Sequence, residues 1–107
     1  MNPWVALAIA IAAEITGTTA LKLSSGFARI GWSAVVVAGY GVSFYLMAQA
    51  LKTLPIGVVY AIWSGIGTVG VALIGLAVFG ETLSPVKGAG IALIVAGVIA
   101  LNAGGGH

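Results

Sequence analysis

The sequence predicts an all-α membrane protein of four transmembrane helices, and three observations carry that prediction. The chain has 107 residues, of which 61% are hydrophobic and only 6% charged, whereas soluble domains carry about 25% charged residues. A soluble fold of this size cannot hide so much apolar surface. The few charges also punctuate the chain: residues 4–13, 30–51, 53–80 and 88–106 contain none. Finally, lipid satisfies no backbone polar group, so only helices or closed barrels cross it, and no ten-residue alternating pattern suggests a barrel.

A helix needs about 20 apolar residues to cross a ~30 Å hydrocarbon core. The helices are expected at Trp4–Leu21, Trp32–Leu51, Val58–Phe79 and Val86–Asn102, forming one transmembrane domain over residues 1–107. Ser24-Ser25-Gly26 breaks the first helix, and Pro55 and Gly57 mark the second turn. Gly80 ends the third, and Ser84-Pro85 opens the fourth, with serine as N-cap and proline as first helical residue. The first and fourth helices are short and are expected to stand with little tilt, and the tail Gly104-Gly105-Gly106-His107 is expected to fray. Ala8-Ile9-Ala10 resembles a signal-peptide cleavage site, but no Lys or Arg precedes the apolar run, and a cleaved leader is set aside. Lys22, Arg29 and Lys87 fall on one side of the membrane and Lys52 on the other, a bias weak enough to permit insertion in both orientations.

Composition excludes several function classes. Four basic and two acidic residues, net +2, are too few for a nucleic-acid surface. There is no cysteine and the one histidine is His107, so no metal cluster and no cofactor is expected. No nucleophile–base pair points to an enzyme.

Glu14 is the one charge in the interior of the four spans, Lys87 standing at the very start of the fourth. An acid at mid-bilayer costs about 3 kcal/mol, and such residues mark substrate or proton pathways. A structural ion pair is a poor explanation: no Lys or Arg lies in the interior of a span, and Lys22 is eight residues on, about 12 Å along a helix. Leu7, Ala10, Ile11, Gly17, Thr18 and Leu21 share the helical face of Glu14. Gly17 removes bulk beside the carboxylate, and Thr18 offers a hydroxyl. Tyr40, Ser43, Phe44 and Met47 form a stripe on the second helix, as do Tyr60, Trp63, Ser64 and Gly67 on the third. One carboxylate with aromatic ring faces suits an organic cation, because cation–π attraction is worth about 2 kcal/mol when desolvated. Packing or interface anchoring is the competing reading of these aromatics. A carboxyl in such a place holds a proton or a cation, but hardly both.

Glycines suggest moving parts and contacts. Gly65 and Gly67 sit inside the third helix, where each costs about 1 kcal/mol, so a kink or close packing is expected. Gly90, Ile94, Gly97 and Leu101 form a stripe on a fourth helix without polar side chains from Gly88 to Leu101. Small residues on one stripe let helices approach closely in lipid, so this reads as a dimer interface, with packing inside the chain as the alternative. Four short helices do not easily enclose a pocket of ~300–1,000 Å³. Two copies in opposite orientations would, recreating the inverted repeat of larger transporters.

The stretches "AEITGTTALKLS", "SFYLMAQALKTLPIGVVYAIWSGIG" and "GIALIVAGV" together resemble the small multidrug resistance family, in its quaternary-ammonium branch, over nearly the full length. The resemblance implies four helices, an antiparallel homodimer of dual topology in the bacterial cytoplasmic (inner) membrane, and export of organic cations in exchange for protons. It implies Glu14 as the shared proton and substrate site, with Tyr40, Tyr60 and Trp63 as pocket aromatics. Gly65 and Gly67 are implied as the bend of the third helix, and Gly90 and Gly97 as the dimer contact. The guanidinium-exporting branch typically has a Trp three residues after the glutamate; Gly17 here implies a roomier, less selective pocket. The glycine tail departs from the family's more polar end.

The sequence thus favours a proton-coupled multidrug exporter. Two alternatives stand beside it: a narrower exporter of guanidinium compounds or polyamines, and a non-transporting accessory subunit whose Glu14 pairs with a basic residue of a larger complex. Gly17 argues against the first and a single in-membrane acid against polyamines. Cation binding by the purified chain separates exporter from accessory subunit.

Overall fold

The computed structural model describes residues 1–103, with every side chain but that of Asn102. The tail 104–107, expected to fray, lies outside the described residues. Four helices make up the regular structure among the described residues: α1 (Pro3–Leu23), α2 (Ile30–Ala50), α3 (Ile56–Val78) and α4 (Pro85–Ala103). They form two compact hairpins, α1 with α2 in Met1–Leu54, and α3 with α4 from Pro55 onward.

In the first hairpin, the Asn2 side chain caps α1 by accepting the Trp4 backbone N–H at 2.8 Å, and Pro3 supplies a first helical residue that needs no hydrogen bond. The helix runs through Lys22 to Leu23. At 21 residues it is about 31 Å long, which corrects the expectation of a short first helix. Neither polar Asn2 nor charged Lys22 ends it, because one is a cap and the other has a stem long enough to reach the interface. The turn that follows is left-handed at Ser25 (φ 51°), Gly26 (φ 69°) and Phe27 (φ 70°). Two of these are not glycine, and each such residue costs about 1–2 kcal/mol. Buried Ser24 compensates: its hydroxyl donates to the Leu21 carbonyl at 2.7 Å and accepts the Phe27 N–H at 3.0 Å.

The α1–α2 contact is a meeting of two glycines. A Cβ on Gly39 would lie 3.0 Å from the Ala13 carbonyl oxygen, 3.0 Å from the Gly17 Cα and 3.1 Å from its nitrogen. These are backbone atoms and cannot swing aside. Gly39→Val is therefore expected to destabilise the hairpin by about 1–3 kcal/mol or more. A Cβ on Gly41, two residues away, meets nothing within 4 Å, so Gly41→Val serves as the matched control. Equal unfolding stability of the two variants in detergent would contradict the close crossing.

In the second hairpin, Pro55 is the extended N-cap of α3 (φ −62°, ψ 137°), and the helix starts at Ile56. Gly57, expected in the turn, is thus within the first helical turn, because Pro55 alone suffices to bar a preceding helix and set the start. Gly80 takes φ +67° just past the end of α3, and the Glu81 N–H returns to the Gly75 carbonyl at 3.0 Å. Ser84 caps α4 through the Lys87 N–H at 3.1 Å, with Pro85 as first residue, as the sequence predicts. α4 packs close at Gly65: a Cβ there would lie 2.7 Å from Val98 Cγ2 and 3.3 Å from Ile94 Cγ2.

Three helices, α1 to α3, are long and apolar enough to cross a membrane, and α4 carries a shorter apolar run, Pro85–Leu101. Large apolar side chains face outward on all four, among them Ile9, Val37, Leu73 and Leu93. Such a surface is stable against lipid, not water. Four hydroxyls are satisfied by backbone one turn back: Thr16, Thr19, Ser33 and Thr68 each donate to the carbonyl four residues earlier.

Candidate functional site

Thr18 breaks that habit. It sits between two back-bonding neighbours on α1, yet its hydroxyl donates to Glu14 Oε1 at 3.0 Å. The pair is one helical turn apart, which puts both side chains on one face. The Tyr40 hydroxyl on α2 lies 2.7 Å from the same Thr18 oxygen. A hydroxyl has one proton. With Thr18 spending it on Glu14, Tyr40 must donate, and the chain runs Tyr40 Oη to Thr18 Oγ1 to Glu14 Oε1. Glu14 Oε2 is buried and has no hydrogen-bond partner among the described residues. One carboxylate oxygen is thus held, and the other is not.

Gly17 makes this geometry possible. A Cβ at position 17 would lie 3.0 Å and 3.1 Å from the ring atoms Cδ1 and Cε1 of Tyr40. The ring lies directly on the α1 backbone, which brings its hydroxyl to Thr18. Tyr40 in turn stacks on Phe44, ring centroids 6.1 Å apart and planes at 20°. Ser43, between them in sequence, is fully buried, and its hydroxyl has no partner among the described residues. Farther along the Glu14 face of α1, Leu7 (2% exposed), Ala10 (0%) and Ile11 are packed. The first hairpin therefore brings together Glu14, Gly17, Thr18, Tyr40 and Phe44.

On the second hairpin, Tyr60 and Trp63 stand one turn apart on α3 with ring centroids 6.0 Å apart and planes tilted by 40°. Tyr60 is 61% exposed, so it is not a packing residue of its own chain. Gly67 is buried in α3. Ile94 faces Gly65, whereas Cβ atoms on Gly90 and Gly97 would meet nothing within 4 Å, and Leu101 is exposed.

The residue that sequence reasoning missed is Gly39. It lets α2 come close enough to α1 for Tyr40 to reach Thr18, and nothing in its spacing separates it from Gly41.

A family model described as Small Multidrug Resistance protein matches residues 2–94. The chain is 45% identical to the quaternary ammonium compound-resistance protein QacE of Escherichia coli over 102 residues, covering 95% of this chain and 93% of the relative. It is 46% identical to a multidrug transporter of Pseudomonas aeruginosa over 102 residues, 95% of this chain and 93% of that one. A guanidinium exporter of Escherichia coli K12 is 43% identical over 99 residues, 92% of this chain and 94% of the relative.

Proposed function

This chain belongs to the small multidrug resistance family of multi-pass membrane proteins, and from that premise we propose that it exports lipophilic and quaternary ammonium cations in exchange for protons, the two ligands competing for Glu14. The observation that carries the reading is the half-satisfied carboxylate: Thr18 and, through it, Tyr40 fix Oε1, while Oε2 is buried with no partner among the described residues. A buried carboxylate is costly unless something neutralises it. A proton does so, and so does an organic cation against the faces of Tyr40, Phe44, Tyr60 and Trp63. Exchange of one for the other is then coupled transport. The names of the relatives support a cation substrate.

Position 17 favours broad substrates over guanidinium. The Tyr40 ring occupies the space a side chain at 17 would need, so a tryptophan there is incompatible with this arrangement. An accessory-subunit role would require a partner's base at Glu14, and a purified chain would then bind no cation. The test is uptake of tetraphenylphosphonium by purified protein in liposomes, driven by a proton gradient; its absence would overturn the reading.

The functional unit in this reading is an antiparallel homodimer in the bacterial cytoplasmic membrane, joined through α4, with Gly65 and Gly67 giving α3 freedom to bend as access changes. All four helices of each chain form one transmembrane domain. The open space over Gly90 and Gly97 supports the interface, since among the described residues nothing lies within 4 Å of a Cβ at either position. Gly97→Val is accordingly expected to weaken dimerisation and to leave insertion unchanged. Valine there has room within its own chain, so any loss reads contacts between copies. Undiminished crosslinking of the variant would locate the interface elsewhere.

A further inference from the structure

We propose that Val98 of α4 is a positioning residue for the aromatic pair on α3: its side chain seats in a notch at Gly65 and holds α3 against bending. The inference deepens the function proposed above and rests on its premise that α3 bends as access changes.

The notch arises from the face that each glycine takes. α3 is an unbroken helix from Ile56 to Val78, and residues two apart on a helix point about 200° from each other. Gly65 and Gly67 therefore leave gaps on opposite faces at nearly one level. Trp63 and Gly67 are one turn apart and share a face, and Gly65 lies on the reverse, turned to α4. A Cβ at position 65 would lie 2.7 Å from Val98 Cγ2. One of the two gaps is thus filled from α4 by a methyl group. Val98 cannot swing aside, because a side chain branched at Cβ has one strongly preferred rotamer in a helix. Val98 is also set about 100° round α4 from Gly97, where a Cβ would meet nothing within 4 Å. The seat on α3 and the open face of α4 use different residues.

A mid-helix glycine weakens the helix at its own level, and here two of them weaken α3 from opposite sides. A methyl group in one gap opposes that. Its dispersion contacts are short-ranged: a gap of roughly 0.5–1 Å forfeits a quarter to a half of them. The seat is therefore engaged or lost, with little between. Engaged, it keeps α3 straight and Tyr60 and Trp63 where their rings now stand, centroids 6.0 Å apart. Bending at Gly65 breaks the seat and moves that part of α3 relative to α4. Val98 touches no cation in this scheme. It acts through Gly65, on the rate at which α3 leaves its straight form.

The test reads conformation and not uptake, so export can fail while the seat stands, and the seat can fail while export stands. Purified full-length protein with labelled valine methyl groups is placed in lipid bicelles and followed by NMR. Exchange between a straight and a bent form is expected, with a nuclear Overhauser contact between a Val98 methyl group and the Gly65 α-protons in the first and not in the second. That contact in both forms, or no exchange, would overturn the proposal on the unmodified protein, with no variant required to fold. Val98→Ala should speed exchange at the Trp63 indole N–H about tenfold, the worth of two buried methyl groups, and leave tetraphenylphosphonium affinity unchanged. An unchanged rate, or affinity lost in step with thermal stability, would make Val98 a packing residue only and overturn its positioning role. Gly65→Ala should lower the Tm of the otherwise unmodified protein and not that of Val98→Ala, where the methyl groups it would strike are gone. An equal loss in both backgrounds would show that the two positions do not meet. Loss of the crosslinked dimer in Val98→Ala would assign the residue to the contact between copies and overturn the seat likewise.

Discussion

Glu14→Gln is expected to abolish proton-driven uptake of tetraphenylphosphonium while leaving the α1–α2 hairpin folded. The two side chains have the same shape, and the amide oxygen accepts the Thr18 hydrogen bond as Oε1 does. The Gly17–Gly39 crossing rests on backbone atoms of Ala13 and Gly17, so the scaffold under the site survives. What disappears is the charge. An organic cation brought to this place without a counter-charge is a buried ion stripped of its partner, a loss of about 3–5 kcal/mol, or roughly a hundred- to several-thousand-fold in affinity. The amide also does not ionise at physiological pH, so residual binding would be uncoupled from the gradient. Thermal unfolding of the variant in detergent checks the fold, and gradient-driven uptake in liposomes checks the site. Robust driven uptake by a folded Glu14→Gln protein would remove Glu14 from the mechanism.

How much of this was legible before the structure depends on whether a feature is written along one helix or between two. The number of helices follows from uncharged runs, and the Glu14–Thr18 pair from a spacing of four. Tyr60 and Trp63 follow from a spacing of three, and their rings are indeed neighbours. The start of α4 was readable because Ser84 and Pro85 act locally, through one hydrogen bond and one missing one. Helix limits slipped where a polar residue belongs to the helix for a reason outside hydropathy, as at Asn2 and Lys22. The Tyr40–Thr18 bond was not legible, since it depends on how closely α2 crosses α1. That distance is set by Gly39, one of 17 glycines in the chain. Gly39 and Gly41 differ only in which way the helix turns them, one onto backbone and the other onto open space. A one-dimensional pattern gives the face of a residue but not the height of its neighbour.

The same carboxylate predicts how binding responds to pH. Tetraphenylphosphonium affinity is expected to fall in acid, where protons compete for the same carboxylate, and to level off in alkali. The sign follows from competition. The cation is attracted to the ionised carboxylate, and protonation removes that charge, so the proton and the cation exclude each other and each weakens the other equally. One pH unit corresponds to 1.36 kcal/mol for each proton displaced. Proton release on binding should accordingly approach one per displaced carboxyl proton at acid pH and vanish at alkaline pH. The hydrogen-bond chain accommodates both states: with Glu14 ionised, Tyr40 donates to Thr18 and Thr18 to Glu14, and with Glu14 protonated each hydroxyl can turn so that the donors run the other way. Tyr60→Leu and Trp63→Leu should lower affinity at every pH and leave the slope intact, because they contribute ring faces and not the titrating group. Titration calorimetry across pH, repeated in buffers of differing ionisation heat, measures affinity and protons released together. An affinity flat from acid to alkaline pH, with no proton released, would mean that the two ligands do not share Glu14, and exchange at a single carboxylate would be excluded.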